Sequence, residues 1–495
     1  MILNIKKLTC STKTPSWTSL LPESMLKISA VLMFALLGAC SGDDNDDESI
    51  ASTKTFFQII NGIPDSPSVL VTFIEVGVSD DEDDDIEDSA NLAQQDATSL
   101  RTIDPGVVTI AVTDVDPDTG DTTVLIPDTM LDLSVGTVYT VVLTGTYEVP
   151  ELVVFEKPFG DVEDSTDEAE LDAIYLGSQG GIELIVAAND TSGVSSLLNL
   201  SAQMSSEPFR AATDISHEIN LQEVSGEAPV FSVDSVSFGT GTRASLVVTD
   251  KLATNPPTVD LFVVFESGIV QTFTNLAQKP KLRFVNAVSD GDVDIEVRDS
   301  FSGDLISLRS LAFQQATDYE ESVDGSTFQD IIVRRSEAPE ETPFVTVVSL
   351  EGEVFYTLVF GGSFTTGDVA SHLTQTIENP LATITRIKFI NAARLTEIND
   401  LEEEVDVALS LYVLQSGNSL EDSTPILTTD FMSSAATQVS AKESILVVTR
   451  EGSTQLMADP VPILLQDIST LLITTTESSG GGQPFEVVIE SQPRP

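Results

Sequence analysis

Along most of the chain, short runs of β-branched and aromatic residues alternate with polar residues at a period of two, and Gly, Pro, Asp and Asn separate the runs. Residues 107–112, 138–143, 152–155, 246–249, 259–265, 331–333 and 355–360 are such runs. Successive side chains of a strand point to opposite faces, so this period predicts half-buried strands. Runs of about 4–8 residues between turn residues predict antiparallel sandwiches or barrels. No long amphipathic helix is predicted, and the expected class is all-β.

The chain also repeats itself. Phe57-Gln58-Ile59-Ile60-Asn61-Gly62-Ile63-Pro64-Asp65 recurs at 282–290 and 387–394, with a weaker copy at 182–190. The second halves recur too: 97–145 matches 316–361. With Asn61, Ala187, Asn286 and Asn391 as markers the steps are 126, 99 and 105 residues. Each step is the length of one sandwich domain.

In the third unit the repeat reads Arg283-Phe284-Val285-Asn286-Ala287 followed by Asp292-Val293-Asp294-Ile295-Glu296-Val297, and in the fourth Lys388-Phe389-Ile390-Asn391-Ala392 followed by Val405-Asp406-Val407. These segments resemble the family known as domain of unknown function 4397, built on an Arg-Phe-Val-Asn-Ala strand, a turn and a Val-Asp-Val-type strand. The match is good in the third unit, fair in the first and fourth, and poor in the second. Ile63-Pro64-Asp65 approximates the family's Ser-Pro-Asp turn, whereas Ala393-Arg394-Leu395 departs from it. The resemblance implies tandem immunoglobulin-like antiparallel β-sandwich domains on secreted or surface proteins, and it carries no activity. The recurring Asn sits at a strand end before a turn, where its side chain is expected to bond nearby backbone and fix the strand's exit.

At the N-terminus, Lys27 precedes an apolar run over 28–38, too short to span a bilayer, which takes about 20 residues. The pattern is that of a secretory signal peptide. Leu37-Gly38-Ala39-Cys40 resembles the lipobox of bacterial lipoproteins, which implies cleavage before Cys40 and diacylglycerol on its thiol. Ser41 rather than Asp follows the Cys, and by the same resemblance the outer membrane of a Gram-negative bacterium is the expected address. Met25 is the expected true start, because residues 1–24 add nothing such a signal needs. The polar stretch 43–49 should be a spacer between lipid and first domain.

Composition sharpens this picture. Of 495 residues 79 are acidic and 23 basic, a formal net charge of −56. Cleavage before Cys40 would leave 19 basic and 78 acidic residues, net −59. Such a polyanion is repelled by phosphate, so nucleic acid is excluded as a partner. With 41% hydrophobic residues the chain can still bury cores. Its two Cys are Cys10 and Cys40, so the mature body holds no thiol, disulfide or thiolate metal site. The acids cluster at 80–88, expected to be a solvated loop, and at 160–172, which with 363–383 should connect units.

Chemistry-bearing motifs are scarce. His217-Glu218 begins a zincin-like pattern, but Leu221 stands where the second ligand should be. Gly239-Thr240-Gly241-Thr242-Arg243-Ala244 has the letters of a dinucleotide fingerprint, yet a strand pattern follows it, which predicts a strand-end turn. No cofactor is expected. One cation site is conceivable: Asp114, Asp116, Asp118 and Asp121 place carboxylates at near-alternate positions around Gly120, as calcium loops do, although Leu125 replaces the bidentate Glu. The simpler expectation for that stretch is a hairpin turn.

The expected organisation is a signal peptide (1–39), a lipidated acidic tether (40–54) and four sandwich units at 55–160, 173–278, 280–364 and 384–492. The expected function is a non-enzymatic envelope lipoprotein that serves as spacer or as binding and adhesion surface, with an envelope protein or glycan as partner and the membrane reached through its lipid. Two alternatives are a carbohydrate-binding or carboxylate-dependent hydrolytic protein and a subunit of a larger envelope assembly. The six tyrosines and single Trp17 count against sugar stacking.

Overall fold

The structure, a computed structural model, describes residues 53–493 except 77–85, 117–119, 160–167, 179, 190–194, 225, 227, 252–257, 323–327, 377–380, 399–403, 416 and 479–482. The expected signal segment, Cys40, most of the expected tether, Asp118 and most of the 80–88 run therefore lie outside the described residues. The body is all-β and forms four tandem immunoglobulin-like sandwiches.

The first sandwich sets the pattern. Its strands are β1 (Thr55–Asn61), β2 (Val69–Val76), β3 (Ile86–Leu92), β4 (Arg101–Ile103), β5 (Gly106–Val115), β6 (Thr122–Leu133), β7 (Thr137–Gly145) and β8 (Pro150–Pro158). One sheet runs β4-β1-β7-β8 and the other β3-β2-β5-β6. Phe57, Ile59 and Val141 from the first sheet meet Val71, Phe73 and Ile110 from the second to form the core. Strand β5 buries every other residue over its central part, as a sheet with one solvated face should. The 80–88 run was expected to be wholly loop, but 86–88 already belong to β3, where Asp88 pairs with Arg101.

Each sandwich departs from a purely antiparallel plan at one place. β1 pairs with β7 in parallel, Ile59 beside Val141, and the equivalent pairs are Glu168–Tyr175 with Arg243–Lys251, Lys281–Val288 with Phe355–Gly362, and Ile384–Asn391 with Ile468–Glu477. The chain crosses between sheets several times before returning beside β1, and such a crossover permits the parallel pairing that a tight hairpin forbids.

These pairs correct two sequence expectations. The second unit opens at Glu168, not 173, and the segment at 182–190 does not open it: Ile182–Ala188 pairs with Ser216–Glu223 in the other sheet, as β2 pairs with β5. Tyr175, opposite Val248, holds the place of Asn61, opposite Leu143. With Tyr175 in place of Ala187 the steps become 114, 111 and 105 residues. The third unit extends past 364, because Ala370–Thr376, inside the expected connector, is a strand paired with Phe355–Gly362.

All seven residues of β1 are buried, and β7 is nearly so. A strand is buried on both faces only if something covers each. The second cover is the neighbouring sandwich: Ile60 and Val142 of the first unit pack against Ile174, Leu176, Val247, Phe262 and Val264 of the second. Third and fourth units repeat this with Val285, Ala287 and Val359 against Ile390, Ala392 and Leu472. Each seam thus joins the two sheets that carry the parallel pairs. Close approach is needed there, since a Cβ on Gly361 would sit 2.6 Å from the Ala392 carbonyl oxygen. Polar contacts rim the seams: Lys157 to Asp172 at 3.0 Å, Gln58 Nε2 donating to the Phe265 carbonyl at 3.0 Å, and Arg283 to Glu490 at 3.1 Å.

Candidate binding cleft

The recurring Asn residues are completely buried and their bonds are made within their own units. Asn61 Nδ2 donates to the Leu92 and Ala93 carbonyls at 3.1 Å each, while its Oδ1 accepts the Ile63 N–H. Asn286 repeats this with the Gly291 and Leu311 carbonyls and the Val288 N–H. Asn391 reaches the Thr429 carbonyl and accepts from Thr475 Oγ1. The side chain thus fixes the strand exit, as expected, and also ties it to the hairpin of the opposite sheet. Asp290, four residues on, accepts from Ser363 Oγ and from the Thr365 N–H and hydroxyl, while Asp65 accepts the Tyr147 N–H. The turn after the Asn therefore anchors the loop that joins the last two strands of its unit.

Where these exits from the first and second units meet, the seam opens into a cleft of about 420 Å³. Gly62, Thr144 and Gly145 line it from one unit, Leu176, Gly177, Thr249 and Asp250 from the other. Asp250 Oδ2 accepts the Ser178 N–H at 2.8 Å and its hydroxyl at 2.5 Å. Oδ1 of the same carboxylate is buried and meets no donor. A buried carboxylate oxygen without a partner carries a desolvation cost. The approach of Tyr175 and Asp250 to one another's loop requires glycine at 177, because a Cβ there would lie 2.3 Å from the Tyr175 ring and 2.6 Å from Asp250 Oδ1. The cleft offers hydroxyls, a carboxylate and small apolar surfaces, which suits a neutral, hydroxyl-bearing ligand. Asp250 is one acid among 79 in sequence, and nothing in its local pattern singles it out.

The expected cation loop is a hairpin between β5 and β6, with the Gly120 N–H donating to the Asp116 carbonyl and the Asp116 N–H to the Asp121 carbonyl. Asp114 accepts from the Tyr147 hydroxyl at 2.5 Å, and burial followed by that bond pushes the Tyr147 hydroxyl well above its usual range. Asp116 lies 3.4 Å from Lys442 of the fourth unit. Asp121 is not brought beside them as a third side-chain ligand, and Asp118 lies outside the described residues. Among the described residues no group of three or more His, Cys, Asp or Glu side chains is placed to hold a metal ion.

His217 is buried on Ser216–Glu223 with its ring 5.6 Å from Phe238, and Leu221 is core. His372 bonds Ser434 at 2.9 Å through Nε2. Gly239 to Thr242 form the expected turn before a strand, closed by the Thr242 N–H on the Gly239 carbonyl. No described helix is long and apolar enough to cross a membrane.

No family model matches the chain, and no curated protein matches it in sequence. Among solved structures it is similar to the pilus adhesin SpaC of Lactobacillus rhamnosus GG in its open conformation, with 10% identity and a TM-score of 0.19 over 86% of this chain and 56% of that one. The chain thus spans little more than half the length of that adhesin. It is also similar to the pilus protein RrgB of Streptococcus pneumoniae, with 7% identity and a TM-score of 0.09 over 90% of this chain and 99% of that one. A second structure of that pilin gives 8% identity and a TM-score of 0.10. At these scores the likenesses assign neither family nor function.

Proposed function

We propose that the chain is a non-enzymatic lipoprotein of the cell envelope, exported and held at the outer membrane by diacylglycerol on Cys40, which carries paired sandwiches as a spacer with a ligand-binding surface. The observation that carries the binding role is the cleft between first and second units, which Asp250 lines together with Thr144, Thr249 and Ser178. Its chemistry favours a glycan as the envelope partner over an acidic one. The lipobox-like Leu37-Gly38-Ala39-Cys40 supports the anchor, and the Arg283-Phe284-Val285-Asn286-Ala287 strand supports kinship with domain of unknown function 4397.

Two measurements test the proposal. Labelled fatty acid should enter the full chain and not Cys40→Ala, which should leave the membrane fraction. On a glycan array the wild-type chain should bind and Asp250→Asn should bind at least about tenfold more weakly, the loss expected for a charge-assisted hydrogen bond. Equal labelling of Cys40→Ala rejects the anchor, and equal glycan binding by Asp250→Asn rejects the cleft.

A further inference from the structure

Phe344–Ser349 of the third unit is an open edge strand, unconnected with the cleft above. Among the described strands it pairs only with Phe328–Arg335, as the last member of its sheet. An equivalent strand ends the corresponding sheet in each of the other three units, and there the edge is guarded. β6 carries Pro127 and Asp128 and meets β5 through register shifts. Pro229–Ser237 carries Asp234 and two such shifts, and Val461–Leu464 is only four residues long with Pro462 inside it. Prolines, charges, bulges and short length are the devices by which an edge refuses a further strand. Phe344-Val345-Thr346-Val347-Val348-Ser349 has no charge, no proline and an unbroken register. Val345 and Val347 are 53% and 59% exposed, and they alternate with the buried Val348.

The same sheet holds one cation without a counterion. Of its four arginines, Arg298 pairs with Glu296, Arg309 with Glu320 and Arg335 with Glu341. Among the described residues no carboxylate pairs with Arg334, and its Nη1 is buried without an acceptor. Asp294 stands opposite Arg334 in the register but accepts from the hydroxyls of Ser310 and Ser336 instead. Val333 is paired with Phe344, so Arg334 flanks the start of the edge strand. Glu351 lies just past the other end of that strand and is exposed. A strand's length separates the two, and they do not meet within one chain.

We propose that this edge is the interface for a second copy of the chain, joined strand to strand in the antiparallel sense about a two-fold axis. Each contact in such an interface is made twice, once from either side. The pairing sets Val345 and Val347 of one copy beside the same residues of the other, and main-chain hydrogen bonds complete the open ladder. It also carries Glu351 of each copy toward Arg334 of the other, where the carboxylate supplies the missing counterion. A parallel pairing would set Glu351 beside Glu351 and leave both arginines alone. The net charge of −56 opposes approach at long range, so association is expected where salt screens it.

The test is sedimentation velocity of the full chain in reductant, with detergent micelles in excess over protein, at about 0.15 M salt, where the screening length is about 8 Å. A concentration-dependent dimer is expected, with hydrogen-exchange protection of the amides of 345–348 growing as it forms. Val347→Lys, a change at an exposed position, should keep the melting temperature and weaken the dimer at least about tenfold. Glu351→Arg should weaken it as well, and Glu351→Arg with Arg334→Glu should restore it, because the two charges are exchanged across the interface. The proposal is overturned by a monomer at every concentration, by wild-type dimerisation in Val347→Lys, by a dimer that leaves 345–348 unprotected, or by a folded double variant that fails to restore the dimer. Where the double variant loses its cooperative melting, Val347→Lys decides.

Discussion

Lys251 Nζ lies 2.5 Å from Glu353 Oε1 and joins the second sandwich to the third, with both side chains 12% exposed. Glu353 also accepts the Asn275 N–H at 3.2 Å, and Asp260 stands 3.5 Å from the same ammonium. Burial holds the Glu353 carboxyl above its usual value even though Lys251 pulls it down. Removing one partner of such a pair strands the other without a counterion, whereas removing both relieves the desolvation. Lys251→Met is expected to cost about 3 kcal/mol in urea unfolding, and Lys251→Met with Glu353→Met to recover part of that loss, since Asp260 still loses the ammonium.

Asn286 holds two carbonyls and one N–H in a fully buried position. Asn286→Ala leaves all three without a partner, and the expected loss is roughly 3 kcal/mol by chemical denaturation. Asn189 provides the contrast: it is exposed and donates to Ser216 Oγ at 3.3 Å, so Asn189→Ala should change stability by less than about 0.5 kcal/mol.

The seam between first and second units rests on apolar contact, with Val247 fully buried against its neighbours. Val247→Asp places a charge there with no partner, and should uncouple the two units while leaving each core intact. Scanning calorimetry should then show the first unit melting apart from the second. Ile174→Ala, which only removes volume, should lower stability by about 2–4 kcal/mol without splitting the transition.

Acid should act on the 363–368 turn before it acts on the cores. Burial works to raise the Asp290 carboxyl, but bonds from Thr365 and Ser363 outweigh it and hold it below the usual 3.8. Asp368 is likewise lowered against burial, by the Thr366 hydroxyl and Arg394. Carboxyls lowered by folding contribute stability that is complete above the unfolded value and lost as pH falls through the folded one. Protection of the Thr365 amide from hydrogen exchange should therefore be constant at neutral pH and fall below about pH 3.8. Asp290→Asn should show low protection at every pH.

In the β5–β6 hairpin Asp114 and Asp116 are already committed to Tyr147 and Lys442. Calcium at millimolar concentration should accordingly release the same heat from the wild-type chain and from Asp116→Ala with Asp118→Ala. A larger heat in the wild type, lost in the double variant, would establish a site on this loop.

The strands were legible where burial is two-sided, since 138–143 and 259–265 are apolar runs interrupted only by Thr140 and Asp260. Half-buried strands were the expectation for these runs, and the neighbouring sandwich that covers their second face was not legible. Asn61, Asn286 and Asn391 marked their units because an amide side chain offers two donors and an acceptor and so can bond carbonyls and accept a hydrogen bond from one buried position. The second unit misled because Tyr175 replaces the Asn, and Ile182–Ala188 imitates the motif with an apolar run that serves the other sheet. Parallel pairing of each unit's first strand with one of its last left no trace, because side chains alternate identically in parallel and antiparallel ladders. Asp250 owes its surroundings to contacts between units, which a repeat within one unit does not encode.

The number of strands after each parallel pair decides where the next sandwich can stand. β8 runs opposite to β1, so the first unit releases the chain at the end where it took it in, and the second sandwich folds back alongside. The third unit, ending in Ala370–Thr376, does the same for the fourth. In the second unit one extra short strand, Val270–Thr272, reverses the direction once more and sends the chain out at the far end. An odd or even strand count thus acts as a switch between lateral doubling and advance, and three residues set the point at which the array moves forward.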